Sequence, residues 1–170
     1  MNQSQLTKEE LAEAMVSAAE ACLKSFGQSH SNKVYCAFAI ETYANYGYYH
    51  MALNTHEDFE EYATKCREMG IPERDIEEEK WANPQSWKCF SFNDNVQDWN
   101  ENWKETEAKI QHTLECLDDE YDEQEFLKFT ETFKNAGIES LRILNERDSF
   151  RHLKTTKDFK TFVYEHDDVF

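Results

Sequence analysis

Basic residues are scarce in this chain, and so are glycine and proline. Eighteen lysines and arginines stand against 35 aspartates and glutamates, a net charge of −17 over 170 residues. Nucleic acid is a polyanion and calls for a cationic footprint, so direct binding to it is not expected. Four glycines and two prolines leave few sites for sharp turns, which favours helices over a turn-rich all-β fold. No run approaches the roughly 18 apolar residues of a membrane span. There is no glycine-rich phosphate loop, no G-x-S-x-G and no calcium-loop pattern. The five cysteines, Cys22, Cys36, Cys66, Cys89 and Cys116, are odd in number, widely spaced and without a CxxC pair. Neither a disulfide framework nor a zinc site is expected from them, and no cofactor is expected. The opening run, Met1 to Gln5, has no basic or apolar leader segment, so the cytoplasm is the expected compartment.

What is abundant is aromatic and acidic. Twelve Phe, eight Tyr and four Trp supply a core despite the charge. The length suits one domain over residues 1–170. Thr7 and Glu10 form a capping box, and Leu11, Met15, Ala18, Ala19, Cys22 and Phe26 recur at helical spacing, with Gly27 placed to end the helix. Val34 to Glu41 reads as a central strand. Val34, Cys36, Phe38 and Ile40 are expected on one face, and Tyr35, Ala37 and Ala39 on a small face suited to a closely packed helix. A turn at 43–47 returns the chain into a strand, Tyr48 to Leu53. A second helix follows, capped at Asn54 or Thr55, with Phe59, Tyr62, Ala63, Cys66 and Met69 as its stripe and Gly70 as its end. A short helix from Pro72, a turn at Asn83-Pro84 and a short strand at Lys88 to Phe92 are expected next. Then come a helix from Val96 to Leu117, a long helix from Glu123 running through Gly137, and a final strand, Phe159 to Tyr164. The order predicts an α+β fold, a small antiparallel or mixed sheet packed against four or so helices on one side.

The charge is local. Asp94 to Glu125 holds twelve acidic residues and two basic ones, whereas Phe126 onward is neutral. Asp118, Asp119, Glu120, Asp122 and Glu123 crowd the junction of the two long helices. An isolated acid there is a solvated helix end. The cluster as a whole would attract a cationic partner. Tyr43 and Tyr46, in the turn, are expected to be exposed anchors beside it. Among other candidates, His112 and Cys116 have metal-ligand spacing, but a second pair is missing. His50 and His56 with nearby acids offer an enzymatic or metal-binding alternative, and the aromatic hairpin offers a homo-oligomeric one.

Three segments carry a family resemblance: Val34-Tyr35-Cys36-Ala37-Phe38-Ala39-Ile40, Ala52-Leu53-Asn54-Thr55-His56-Glu57 and Lys80-Trp81-Ala82-Asn83-Pro84-Gln85-Ser86-Trp87. Together they resemble the bacterial domain-of-unknown-function family numbered 4303. The resemblance implies a single α+β domain and, by analogy of size and gene setting, a role like that of immunity proteins, which neutralise toxins used between bacteria. The expectation is therefore a non-enzymatic, protein-binding domain. Its partner would be a basic protein, with no nucleic acid or membrane bound directly.

Overall fold

The computed structural model describes residues 6–120 and 123–165, excepting the side chains at 119 and 120. Thr7 caps α1 (Lys8–Ser29) as the capping box requires: the Glu10 N–H donates to Thr7 Oγ1, and the Thr7 N–H donates to Glu10 Oε2 at 2.9 Å. The helix does not stop at Gly27. A Cβ there would collide with the His152 carbonyl, so this glycine serves close approach within the helix, not a left-handed cap. The chain leaves the helix at His30, whose N–H donates to the Phe26 carbonyl.

A hairpin follows, β1 (Val34–Tyr43) and β2 (Tyr48–Thr55), antiparallel. β3 (Lys154–Glu165) adds to the other side of β1 in parallel, giving the order β2-β1-β3 and a mixed sheet. Between them run α2 (His56–Glu68), α3 (Glu73–Glu79), α4 (Gln97–Glu120) and α5 (Glu123–Glu146), so the fold is α+β as expected. α5 is continuous through Gly137, where a Cβ would stand 3.0 Å from Thr42 Cγ2 and 3.2 Å from the Tyr49 ring. That missing carbon lets Tyr49 lie flat on Phe133, with ring centroids 4.0 Å apart and its hydroxyl donating to the Phe133 carbonyl.

The side-chain alternation of β1 differs from the sequence pattern at one residue. A bulge at Cys36 sets two residues of β1 against one of β2 and reverses the parity. Tyr35 therefore joins Phe38 and Ile40 in the main core with α1, α4 and α5, while Cys36 faces Phe59, Ala63, Cys66 and Ile76 of α2 and α3. Opposite Cys36, β3 loops out over Thr156–Phe159. Helices thus lie on both sides of the sheet, not one. The small face of Ala37, Ala39 and Ala52 receives no helix. It receives Trp87, with Trp81, Phe90 and Phe162 around it. On α2, Phe59, Ala63 and Cys66 are buried, whereas Tyr62 and Met69 of the expected stripe are exposed.

The strand expected at Lys88 to Phe92 is reduced to one bridge, the Leu53 N–H donating to the Cys89 carbonyl at 3.1 Å. Ser91 then enters a left-handed conformation and a 3-10 turn, Phe92–Asn95, begins. The side chain of Asn93, wholly buried, takes over the role of a strand. It accepts from the Met51 N–H at 2.8 Å and donates to the Tyr49 carbonyl at 3.3 Å. An amide side chain carries the same donor and acceptor as a peptide group, so it closes the β2 edge where the backbone turns away.

Asn93→Leu leaves two buried backbone groups unpaired and should cost about 2–4 kcal/mol by urea denaturation; a midpoint equal to wild type would show that Asn93 does not close the edge. Lys80, buried under Trp81 and Phe59, donates to Asp158 at 2.6 Å and holds its carboxyl down to about 2. Because the folded carboxyl titrates below its unfolded value near 4, its contribution is present above about pH 4 and lost as pH falls through 2. Asp158 is half exposed, which limits this to about 1 kcal/mol. Asp158→Asn should be less stable than wild type at neutral pH, and the gap should close near pH 2; a gap independent of pH would exclude this linkage.

Candidate functional site

The turn between β1 and β2 is held against α4. Gly47 has a φ of +69°, and a Cβ on it would strike Ile110 and stand 3.0 Å from Leu114. The Gln111 amide donates to the Tyr46 carbonyl at 3.2 Å. Between this turn, the last turns of α4 and the first of α5 lies a groove of about 610 Å3. Leu114, Leu117 and Phe126 give it an apolar floor, Tyr46 stands at one side, and Asp118 and Glu123 stand on its lip. Tyr46 is 49% exposed, and Asp118 and Glu123 are exposed.

Three of the residues singled out in the sequence, Tyr46, Asp118 and Glu123, therefore meet at one place. The side chains of Asp119 and Glu120, and all of Asp122, lie outside the described residues. Leu114 and Leu117 lie on the apolar face of α4, and Phe126 lies in the first turn of α5. Their part in the groove follows from the turn docking between the helices, which helical periodicity does not encode.

Tyr43 is elsewhere. It ends β1, half-buried, on the face that carries Glu41, and its hydroxyl accepts from the Gln85 amide at 3.0 Å. Its ring meets His50 edge-on, with centroids 5.0 Å apart. Around His50 stand Tyr48, Phe90, Ser91 and Asp94. Glu41, fully buried, pairs across the strands with His50 and accepts from Gln85. Ser91, His50 and Asp94 invite comparison with a nucleophilic triad. In a triad the hydroxyl and the carboxylate use different ring nitrogens. Here the Ser91 hydroxyl and the Asp94 carboxylate, at 3.4 Å, both meet Nδ1, so no relay runs through the ring.

His56 begins α2 at the far end of β2, roughly 20 Å of strand away from His50, and the two do not form one site. His112 and Cys116 approach to 3.9 Å on α4. Among the described residues no three His, Cys, Asp or Glu side chains gather to hold a metal ion. All five cysteines are free thiols, and burial pushes Cys22 up to about 12 and Cys36 to about 11. Those two thiols are poor nucleophiles. No described helix is long and apolar enough to cross a membrane. No protein-family model, curated protein or solved structure matches the chain.

The groove depends on Gly47, which allows a direct comparison. Gly70 also has a positive φ, +75°, but a Cβ there meets open space. Gly70→Ala should cost about 1–2 kcal/mol for its backbone alone. Gly47→Ala should cost about 1–3 kcal/mol more, because it also overpacks α4. Chemical denaturation of both variants checks this, and equal losses would mean that the turn is not clamped on α4.

Proposed function

We propose that this protein is a binding domain whose groove captures a cationic partner protein, as an immunity-type inhibitor captures a basic toxin domain. The supporting observation is the meeting of an apolar floor, an exposed tyrosine and acidic lips in one concavity. Each part has a task. Leu114, Leu117 and Phe126 offer contact area to an apolar side chain. Tyr46 adds an amphipathic ring with few rotamers to lose. Asp118 and Glu123 draw lysines or arginines to the rim, and they do so over a stretch of chain with a net charge of −10, which speeds encounter. The resemblance to the bacterial family numbered 4303 and a cytoplasmic location belong to the same reading.

Affinity capture from the native host, followed by binding measurements on the captured protein, tests it. The partner should be basic. Tyr46→Ala should weaken binding by about 2 kcal/mol, as an anchor residue does. Asp118→Asn with Glu123→Gln should slow association and flatten its dependence on salt. A captured protein that binds all three forms alike would place the interface elsewhere and overturn the proposal.

A further inference from the structure

β3 closes one side of β1, and no strand among the described residues pairs with its other side. Burial reflects this. β1 is buried from Tyr35 through Thr42, whereas no residue of β3 is buried, not even Phe159, Phe162, Val163 or Tyr164. Residues 160–165 pair with β1 in unbroken register, from Lys160 opposite Ala37 to Glu165 opposite Thr42. Successive peptide groups of a strand point to opposite sides, so every second N–H and C=O of this run faces away from β1. Such a row is a template for a further strand.

The charge beside this edge is the reverse of the chain's. Most lysines and arginines of this acidic protein are held by a carboxylate, as Lys33 is by Glu57, Arg67 by Glu73 and Arg142 by Glu139. Arg151, Lys154, Lys157 and Lys160 are exposed, and none of the four has a carboxylate partner among the described residues. Arg151 donates to the Arg147 and Asp148 carbonyls at the end of α5, and Lys160 lies 3.6 Å over the Trp81 ring, so both keep their charge. The acids of β3 itself are taken, Asp158 by Lys80 at 2.6 Å and Glu165 by Lys134 at 3.0 Å. Asp148 is the other acid of segment 147–165 and stands against five bases there.

These charges select the occupant. Lysines on an edge deter pairing with a like edge, which disfavours β3 of a second copy. The same lysines favour a strand of opposite sign. A polyphosphate would answer the lysines but leave the outward peptide groups unused. We infer that the free edge of β3 takes an extended acidic segment of another protein as an added strand, its peptide groups pairing along residues 160–165 and its carboxylates meeting Lys160, Lys157 and Lys154. Main-chain bonds supply affinity, and the lysines choose the partner. The edge shares no residue with the groove, and the inference does not rest on the groove's function.

Two blocked peptides of about eight residues, one alternating Glu with Val and one alternating Lys with Val, provide the test on the full chain at low salt. The Glu-Val peptide should bind at least about tenfold more tightly than the Lys-Val peptide. It should also slow amide hydrogen exchange within residues 160–165. N-methylation throughout the Glu-Val peptide removes its backbone donors, keeps its charge and should abolish binding. Lys154→Gln with Lys157→Gln, at two exposed positions, should cut the preference for Glu over Lys by about threefold or more. Equal affinity for the two peptides, a methylated peptide as tight as its parent, unchanged exchange at residues 160–165, an undiminished preference in the double variant, or no binding at about 1 mM would each overturn the inference. A single-stranded oligothymidylate that binds more tightly than the Glu-Val peptide would assign the lysines to a polyphosphate and overturn it as well.

Discussion

A sheet of three strands has one strand without an edge, and burying that strand is the constraint from which the rest of this structure follows. β1 is covered on both faces and paired on both sides, and Tyr35 through Thr42 are buried without a break. A three-strand sheet cannot shield such a strand by itself. Each face therefore needs its own cover: α1, α4 and α5 on the side of Phe38 and Ile40, α2, α3 and the tryptophan segment on the other. Among the described residues, twelve aromatic side chains are buried in this cover.

The edges are treated differently. At β2 the backbone supplies a single bridge, from Leu53 to Cys89, and Asn93 then supplies a side-chain amide in place of the next peptide. This economy lets segment 88–95 turn sharply, and the sharp turn brings Ser91 and Phe90 to His50 and packs Phe92 against Phe26 of α1 on the other face of the sheet. One buried asparagine thus governs the path of the segment that builds the His50 cluster on one face and packs against α1 on the other. The groove beside Tyr46 has a separate origin, in a glycine turn pressed against α4.

Much of the fold was legible in the sequence because helix signals are local. The Thr7 capping box, the Thr55 cap and the stripe of Leu11, Met15 and Cys22 report themselves within one or two turns. The misreadings occur where tertiary contact decides. Gly27 resembles a helix stop until the His152 carbonyl is seen beside it. Cys36 is one residue of extra strand, and a period-two pattern carries no mark for a bulge. The alanine face suggests a helix, but small residues fit an indole equally well, and Trp87 fills that space. For the groove, the acids and Tyr46 were visible as exposed features, whereas Tyr43 parted from Tyr46 because three residues of turn put them on different surfaces.

The parallel pairing of β1 with β3 also bears on how the chain comes off the ribosome. The hairpin is complete at Thr55, but the strand that closes the other edge of β1 does not begin until Lys154. At about 5–20 residues per second, the newly made hairpin waits on the order of 5–20 s for residues 56–153 to be synthesised. During that interval β1 presents an open row of peptide groups flanked by Phe38 and Ile40, the kind of edge that recruits other nascent chains. The stretch made in between carries an excess of acidic residues, and like charge opposes the association of unfinished copies.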